Sequence, residues 1–104
     1  MNLQKELVST ENLYRVGYLS GINKYVMCCV VPWILWYERC FEITECEYKS
    51  FGSKTLDDLA KEFCNDGVKS HRFLFSEKSE ENTKEGSRLR KIALADDVFD
   101  SNEL

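Results

Sequence analysis

The stretch Y-V-M-C-C-V-V-P-W-I-L-W-Y-E-R-C-F, residues 25–41, decides the fold of this chain. Its first thirteen residues, 25–37, carry no charge, and the whole stretch holds both tryptophans and three of the five cysteines. A run that is apolar at consecutive positions is not typical of a strand with one wet face, so we expect burial on both faces. The run is shorter than the about 20 apolar residues of a membrane-spanning helix, and Pro32 interrupts it. We therefore predict the central sheet of a small domain.

The residues before this stretch predict the first part of a hairpin. Residues 12–19, N-L-Y-R-V-G-Y-L, alternate in polarity as a strand does. Residues 20–23 predict a turn, because glycine and asparagine tolerate positive φ, and the chain then returns as a strand over residues 25–31. Residues 2–11 carry leucine and valine at helical spacing, so we expect a short helix or an N-terminal arm there.

Pro32 divides the apolar stretch. It has no N–H group to donate to a sheet, so it marks an edge, a bulge or a corner. After it we expect a third strand over residues 33–43. Charge returns in the second half of that strand at Glu38, Arg39 and Glu42, which predicts that one face of this half is exposed to water.

Two short helices are predicted next, each from a capping pattern. Thr44 as N-cap with Glu47 three residues later forms a capping box, and we expect this helix to end at Gly52. Thr55 and Asp58 repeat the pattern at the start of the second helix. Five residues recur at helical spacing and predict the buried face of the second helix: Leu56, Leu59, Ala60, Phe63 and Cys64.

The last third of the chain predicts one or two further strands. Residues 68–75 are a strand candidate, residues 76–87 a polar, acidic loop, and residues 88–95 either a strand or a helical turn; residues 96–104 form an acidic C-terminal tail. The order of elements predicts an α+β fold, an antiparallel sheet of four to five strands with two short helices packed on one face. The length predicts a single domain over residues 1–104.

Charge and cysteine content limit the classes of partner. The net charge of −4 argues against direct binding of nucleic acid or of an anionic membrane, since both attract lysine and arginine. The first residues, M-N-L-Q-K-E-L-V, lack the apolar segment of a signal peptide, and the cysteine count is odd. We therefore expect reduced thiols and a cytoplasmic protein.

No pattern in the sequence predicts a catalytic residue, a metal site or a cofactor. The only histidine is His71, and the cysteines lack the short spacings of a zinc site. We interpret the cysteines as small buried hydrophobic residues. Cys64 falls on the apolar face of the second helix, where we expect it to be inert.

The acidic segments are the remaining candidate for a functional site. Acidic side chains steer association with a basic protein, and an aromatic residue among them supplies an apolar anchor. The candidate partner-binding residues in the loop are Glu77, Glu80, Glu81 and Glu85. Those in the tail are Asp96, Asp97, Phe99 and Asp100. A second choice is Glu38 and Glu42 on the wet face of the third strand.

The segment W-Y-E-R-C-F-E-I-T-E-C-E-Y-K-S-F, residues 36–51, resembles a recurring part of small bacterial immunity proteins. These proteins accompany contact-dependent growth inhibition and related polymorphic toxins, and an aromatic strand in them often runs into a short helix. The resemblance implies a cytoplasmic, non-enzymatic inhibitor that binds one cognate toxin domain. Many such toxins are nucleases with positive clefts, which an acidic surface would complement.

Two other classes of function remain open from the sequence. One is a phage- or plasmid-encoded antagonist of a host nucleic-acid-binding protein, for example a DNA mimic. The other is a small thiol-dependent enzyme that uses Cys64 or Cys46 with His71.

Overall fold

The sheet of this protein follows the order of the chain. A computed structural model describes the backbone of residues 1–103 and the side chains of residues 1–95. Neighbouring strands all pair antiparallel in the order β1-β2-β3-β4-β5. The strands are β1 (Gln4–Ser9), β2 (Tyr14–Leu19), β3 (Lys24–Val31), β4 (Tyr37–Ile43) and β5 (Phe73–Ser76). The predicted α+β class with an antiparallel sheet of four to five strands is confirmed.

Three α-helices accompany the sheet. They are α1 (Glu45–Lys49), α2 (Lys54–Asp66) and α3 (Lys84–Glu103). The predicted capping box of α1 is present, since Thr44 Oγ1 accepts from the Glu47 N–H at 3.1 Å and Glu47 Oε1 accepts from the Thr44 N–H at 2.8 Å. Within the described residues, none of the helices has both the length and the apolar character needed to cross a membrane.

The ends of α1 and α2 differ from the prediction by a few residues. The helix α1 ends at Lys49, and Gly52, expected to end it, instead adopts a φ of 91° in the following turn. The N-cap of α2 is Ser53, whose hydroxyl accepts from the Leu56 N–H at 3.3 Å, and not Thr55. The turn at Gly52 leaves Ser53 in the extended conformation that an N-cap requires.

Helices cover both faces of the sheet. On the first face, Met27, Cys29 and Phe41 pack against α2. On the second face, Val26, Cys28 and Cys40 pack in a core with Ala93 of α3. Consecutive residues of a strand point to opposite faces, so the run Val26–Cys29 is buried at every position. The two helices α1 and α2 lie on one face as predicted, and α3 adds a third layer.

The N-terminal residues form an edge strand, so of the two alternatives for residues 2–11, a short helix or an N-terminal arm, the helix is wrong. The pairing of β1 with β2 shifts register between Gln4 and Leu7, and Lys5 there has a φ of 52°. The residues of β1 are exposed on both faces, so the strand lacks the alternation of polar and buried apolar residues that identifies a strand in a sequence. Leu3 closes against the second face of the sheet.

After α2 the strand is shorter than predicted and more of the chain is helical than predicted. Of residues 68–75 only the last part is a strand, and β5 extends to the buried Ser76. The predicted loop over residues 76–87 is shorter than expected, since Ser76 belongs to β5 and residues 84–87 to α3. The part between them is ordered by Asn82, whose side chain accepts from the Ser76 N–H at 2.7 Å and donates to the Ser76 carbonyl at 2.9 Å. Residues 88–95 are helical: Leu89 and Ala93 pack in the core of the second face, while Lys91, which a strand would place on the same face, is exposed.

Candidate functional site

The connection between β3 and β4 exposes four large apolar side chains in a row. The last pair of the β3–β4 ladder is Val31 opposite Tyr37, and residues 32–36 extend beyond it. We call residues 33–36 the apolar tip. Their exposed fractions are 61% for Trp33, 88% for Ile34, 81% for Leu35 and 64% for Trp36.

The predictions of burial and of strand structure over residues 33–36 are therefore wrong. The run continues the apolar pattern of β3, but the two helical layers cover the sheet only up to the rows that precede it. Isolated exposed apolar residues are normal on protein surfaces, whereas a contiguous apolar patch is typical of an interaction site. The apolar tip is a patch of this kind.

A cluster of charged residues holds the segment after β5 beside the apolar tip. Lys78 Nζ lies 5.3 Å from the ring centroid of Trp33 and 5.9 Å from that of Tyr37. Arg39 donates to Glu81 through Nε at 3.0 Å and Nη2 at 2.7 Å, and the Tyr37 hydroxyl donates to Glu81 at 2.9 Å. These hydrogen bonds, led by those from Arg39, lower the pKa of Glu81 to about 2. Glu81 is thus an ionised residue that joins the segment before α3 to β4.

Several of the predicted partner-binding acids are engaged inside the protein. Glu38 accepts a forked pair of hydrogen bonds from Arg15 at 2.9 and 2.8 Å, and Glu42 accepts from Lys24 at 3.1 Å. Glu85 pairs with Arg88 on the surface of α3. A carboxylate that already pairs with a cation contributes less to steering a basic partner.

Glu77 and Glu80 are the predicted acids nearest in sequence to Lys78, whose ammonium group lies over the Trp33 ring. Glu77 accepts from the Glu38 N–H at 2.6 Å, and Glu80 accepts from the Ser79 hydroxyl at 3.2 Å. The predicted residues of the tail lie outside the described side chains, namely Asp96, Asp97, Phe99 and Asp100. Part of the predicted acidic loop, with Lys78 and Glu81, thus lies next to the apolar tip, which was predicted to be buried in the core.

A cavity of about 80 Å³ lies between the sheet and the end of α2, at the base of the apolar tip. Two thiols and one guanidinium group contribute to its wall, those of Cys29, Cys64 and Arg39. The remaining wall is Val30, Val31, Pro32, Phe41 and Phe63. We call this the thiol cavity.

The two thiols of the cavity differ in exposure and in acidity. Cys29 is buried on β3, and Cys64 is exposed on α2. A hydrogen bond with the Cys29 thiol and the positive charge of Arg39 outweigh partial burial and lower the pKa of Cys64 to about 6. The same interaction, together with burial, raises the pKa of Cys29 well above its usual range. Cys64 is thus the more acidic thiol of the two.

Arg39 lines the thiol cavity and also binds Glu81 beside the apolar tip. Its Nε and Nη2 bind Glu81, while Nη1 lies on the side of Gly67, where an added Cβ would be 3.1 Å from it. Gly67 ends α2 with a φ of 55°, so the close approach of Arg39 and the backbone conformation both favour glycine at this position.

His71 does not line the thiol cavity. It lines a separate cavity with Glu42, Ile43, Thr44 and Arg72. Cys64 and His71, which the sequence offered as a catalytic pair, therefore do not line the same cavity. The sequence carries no signal that Cys64 and Cys29 lie close together, because the two residues are remote in the chain and only the packing of α2 on the sheet brings both to the wall of one cavity.

The structure defines a small α+β domain with its sheet between helical layers and an apolar patch at one hairpin. No protein-family model matches the chain, and comparisons with curated proteins and with solved structures find no match either.

Proposed function

We propose that this protein is a cytoplasmic immunity protein that binds and neutralises a basic bacterial toxin domain, with the apolar tip as its anchor. One observation carries the proposal: four consecutive large apolar side chains, Trp33 to Trp36, are more than half exposed. Tryptophan is among the residues that contribute most to protein–protein binding, and it does so at the centre of an interface.

Burial of the tip supplies a large part of the free energy of a specific complex. Full burial of one large apolar side chain stabilises by about 1.5–3 kcal/mol. Scaled by the exposed fractions of the four residues, burial of the tip would contribute on the order of 7 kcal/mol. This is comparable to the free energy of a micromolar complex, about 8 kcal/mol, before the entropic cost of association. The surrounding polar rim must therefore contribute as well.

The rim favours a basic partner. Exposed Glu77 and Glu80 belong to the segment that carries Lys78, whose ammonium group lies over the Trp33 ring, and the net charge of the chain is −4. Charges at the edge of an interface raise the association rate and select the partner, while buried apolar residues provide most of the affinity. We assign anchoring to the tip and steering to these acids.

The DNA-mimic alternative receives less support from the described side chains. A mimic of a phosphate backbone needs carboxylates that remain available to a basic groove. Here Glu38, Glu42 and Glu81 pair with Arg15, Lys24 and Arg39 instead. An apolar patch is also not a feature that DNA presents along its backbone.

The test starts with capture of the partner and then removes the tip. Tagged protein is incubated at low salt with an extract of its native cell, and the retained protein is expressed alone and together with this chain. We expect a basic protein that is toxic alone and harmless in the presence of this chain.

The decisive variant is Trp33→Ala combined with Trp36→Ala, with Val68→Ala as a matched control. Val68 is also exposed, at 43%, but it lies in the turn after α2. We expect the tip variant to lose both capture and protection and the control to keep both. Full protection by a folded tip variant would refute the tip as anchor. Retention on lipid vesicles without any protein partner would refute the immunity function and indicate membrane docking.

A further inference from the structure

The thiol cavity combines features that the proposed binding function does not use. An exposed thiol, a buried thiol and a guanidinium group share its wall, and the rest of the wall is apolar apart from backbone. A small cavity with apolar walls admits small neutral molecules, and a sulfur atom at its mouth is the reactive group they would meet. The adjacent cation favours the thiolate form of that sulfur.

We propose that the thiol cavity is an oxidation site, in which Cys64 reacts with a small hydroperoxide and Cys29 then forms a disulfide with it. Cys64 is the exposed thiol of the pair and Cys29 the buried one, so an oxidant reaches Cys64 first. Cys29 is held on the inner side of the same cavity, in the core that also contains Phe63.

The reaction balances with the hydroperoxide as the only oxidant. The Cys64 thiolate attacks one peroxide oxygen, the O–O bond breaks, and the departing oxygen takes a proton to leave as water or alcohol. Cys64 is then a sulfenic acid. The Cys29 thiol loses its proton, its sulfur attacks the Cys64 sulfur, and the S–O bond breaks to release water. Two thiols are oxidised by two electrons, and one peroxide is reduced.

The rate expected for Cys64 follows from its acidity. With a pKa of about 6, about half of Cys64 is thiolate at pH 6. An ordinary thiol with a pKa of about 8.5 is about 0.3% thiolate at that pH. A less basic thiolate is also a weaker nucleophile, which reduces the advantage of Cys64 to on the order of tenfold.

The chain contains matched controls for each part of the proposal. Cys46 is an exposed cysteine on another helix, α1, and serves as the comparison for rate. Cys28 is adjacent to Cys29 but faces the opposite side of the sheet, with its sulfur 2.9 Å from that of Cys40. Trypsin releases Cys64 in the peptide of residues 62–69, and Cys28 with Cys29 in the peptide of residues 25–39.

The test is oxidation of the reduced full chain with hydrogen peroxide at pH 6, followed by digestion and mass spectrometry. We expect Cys64 to be consumed on the order of tenfold faster than Cys46, and a disulfide to join the peptides of residues 25–39 and 62–69. Cys28→Ser should keep this disulfide. Cys29→Ser should abolish it and leave a Cys64 sulfenic acid that dimedone traps.

Each other outcome would overturn the proposal. Equal consumption of Cys64 and Cys46 in the wild-type chain, which needs no variant, would show that the cavity does not activate Cys64. A sulfenic acid that persists on wild-type Cys64, or a disulfide that survives Cys29→Ser, would show that Cys29 is not its partner. Circular dichroism before oxidation establishes that the variants are folded, and Cys29→Ala replaces Cys29→Ser if the serine variant is not.

Discussion

The ion pair of Arg39 with Glu81 is expected to stabilise the fold in a pH-dependent way. The side chain of Glu81 is 16% exposed and accepts hydrogen bonds from Arg39 and from Tyr37. Glu81→Gln preserves the shape of the side chain but removes its charge. Arg39 is then left half-buried beside a neutral amide, which costs free energy because a partly desolvated cation has lost its counter-ion.

The magnitude follows from the acidity of Glu81. Its pKa is lowered to about 2, below the usual value of about 4.3. At 1.36 kcal/mol per pKa unit this corresponds to about 3 kcal/mol as an upper bound. Water screens part of the interaction at the protein surface, so we expect Glu81→Gln to lower the free energy of unfolding by about 1–2 kcal/mol at pH 7.

The pH dependence has a definite sign. A carboxylate whose pKa is depressed in the folded state stabilises the protein fully above its unfolded pKa, and this contribution is lost as the pH falls through the folded pKa. The difference between wild type and Glu81→Gln should therefore be largest above about pH 5 and shrink towards pH 2.

Urea unfolding at pH 7 and at pH 3 measures this difference, with Glu80→Gln as the control. Glu80 is the exposed neighbour of Glu81, and its replacement should change the free energy of unfolding by less than about 0.5 kcal/mol. A Glu81→Gln effect no larger than that of the control at pH 7, or an effect of equal size at pH 3, would refute the stabilising role of the pair.

Three further predictions concern the edge strand, the first helix and the rim of the tip. Gly17→Ala should lower the free energy of unfolding in urea by about 1–3 kcal/mol. The reason is that the added Cβ would lie 2.6 Å from Leu3 Cβ and 2.9 Å from the Gln4 carbonyl oxygen. An effect below about 0.5 kcal/mol would contradict the pairing of β1 with β2. Thr44→Ala should cost about 1 kcal/mol by removing the N-cap of α1, whereas Thr44→Ser should cost less, and equal effects of both would contradict the cap. Affinity for the captured partner should fall when the salt concentration rises from about 0.05 to about 0.5 M, because salt screens the rim charges. The double variant Glu77→Gln and Glu80→Gln should make the affinity less dependent on salt. The same salt dependence in wild type and variant would contradict steering by these two acids.

Local patterns predicted the elements whose cause is local. The capping box of Thr44 and Glu47 depends on residues within one turn, and the structure confirms it. The hairpin of β2 and β3 and the buried face of α2 follow from side-chain periodicity in the same way. Cys64 is the exception on that face, since it lies at its exposed end.

Features that depend on tertiary packing were outside the reach of the sequence. The uncharged run of residues 25–37 looks equally apolar along its whole length, and the sequence does not show which part of it a helix covers. Burial of residues 26–29 was therefore predicted correctly, whereas burial of the tip was predicted wrongly. The periodicity of residues 88–95 fitted both strand and helix, and only the packing of Leu89 and Ala93 in the core with Lys91 left exposed distinguishes the helix. The pairing of Cys29 with Cys64 has no local signal.

The most direct test of the central claim is intrinsic fluorescence during titration with the captured partner. Both tryptophans of the chain lie in the apolar tip, so the tryptophan emission of this protein, excited selectively over that of tyrosine, reports that patch alone. A partner domain in which each tryptophan is replaced by phenylalanine keeps the signal specific. We predict long-wavelength emission that acrylamide quenches efficiently in the free protein, and a saturable blue shift with protection from quenching in the complex. Tight binding that leaves emission and quenching unchanged would show that the tip stays in water and would contradict its role as the anchor.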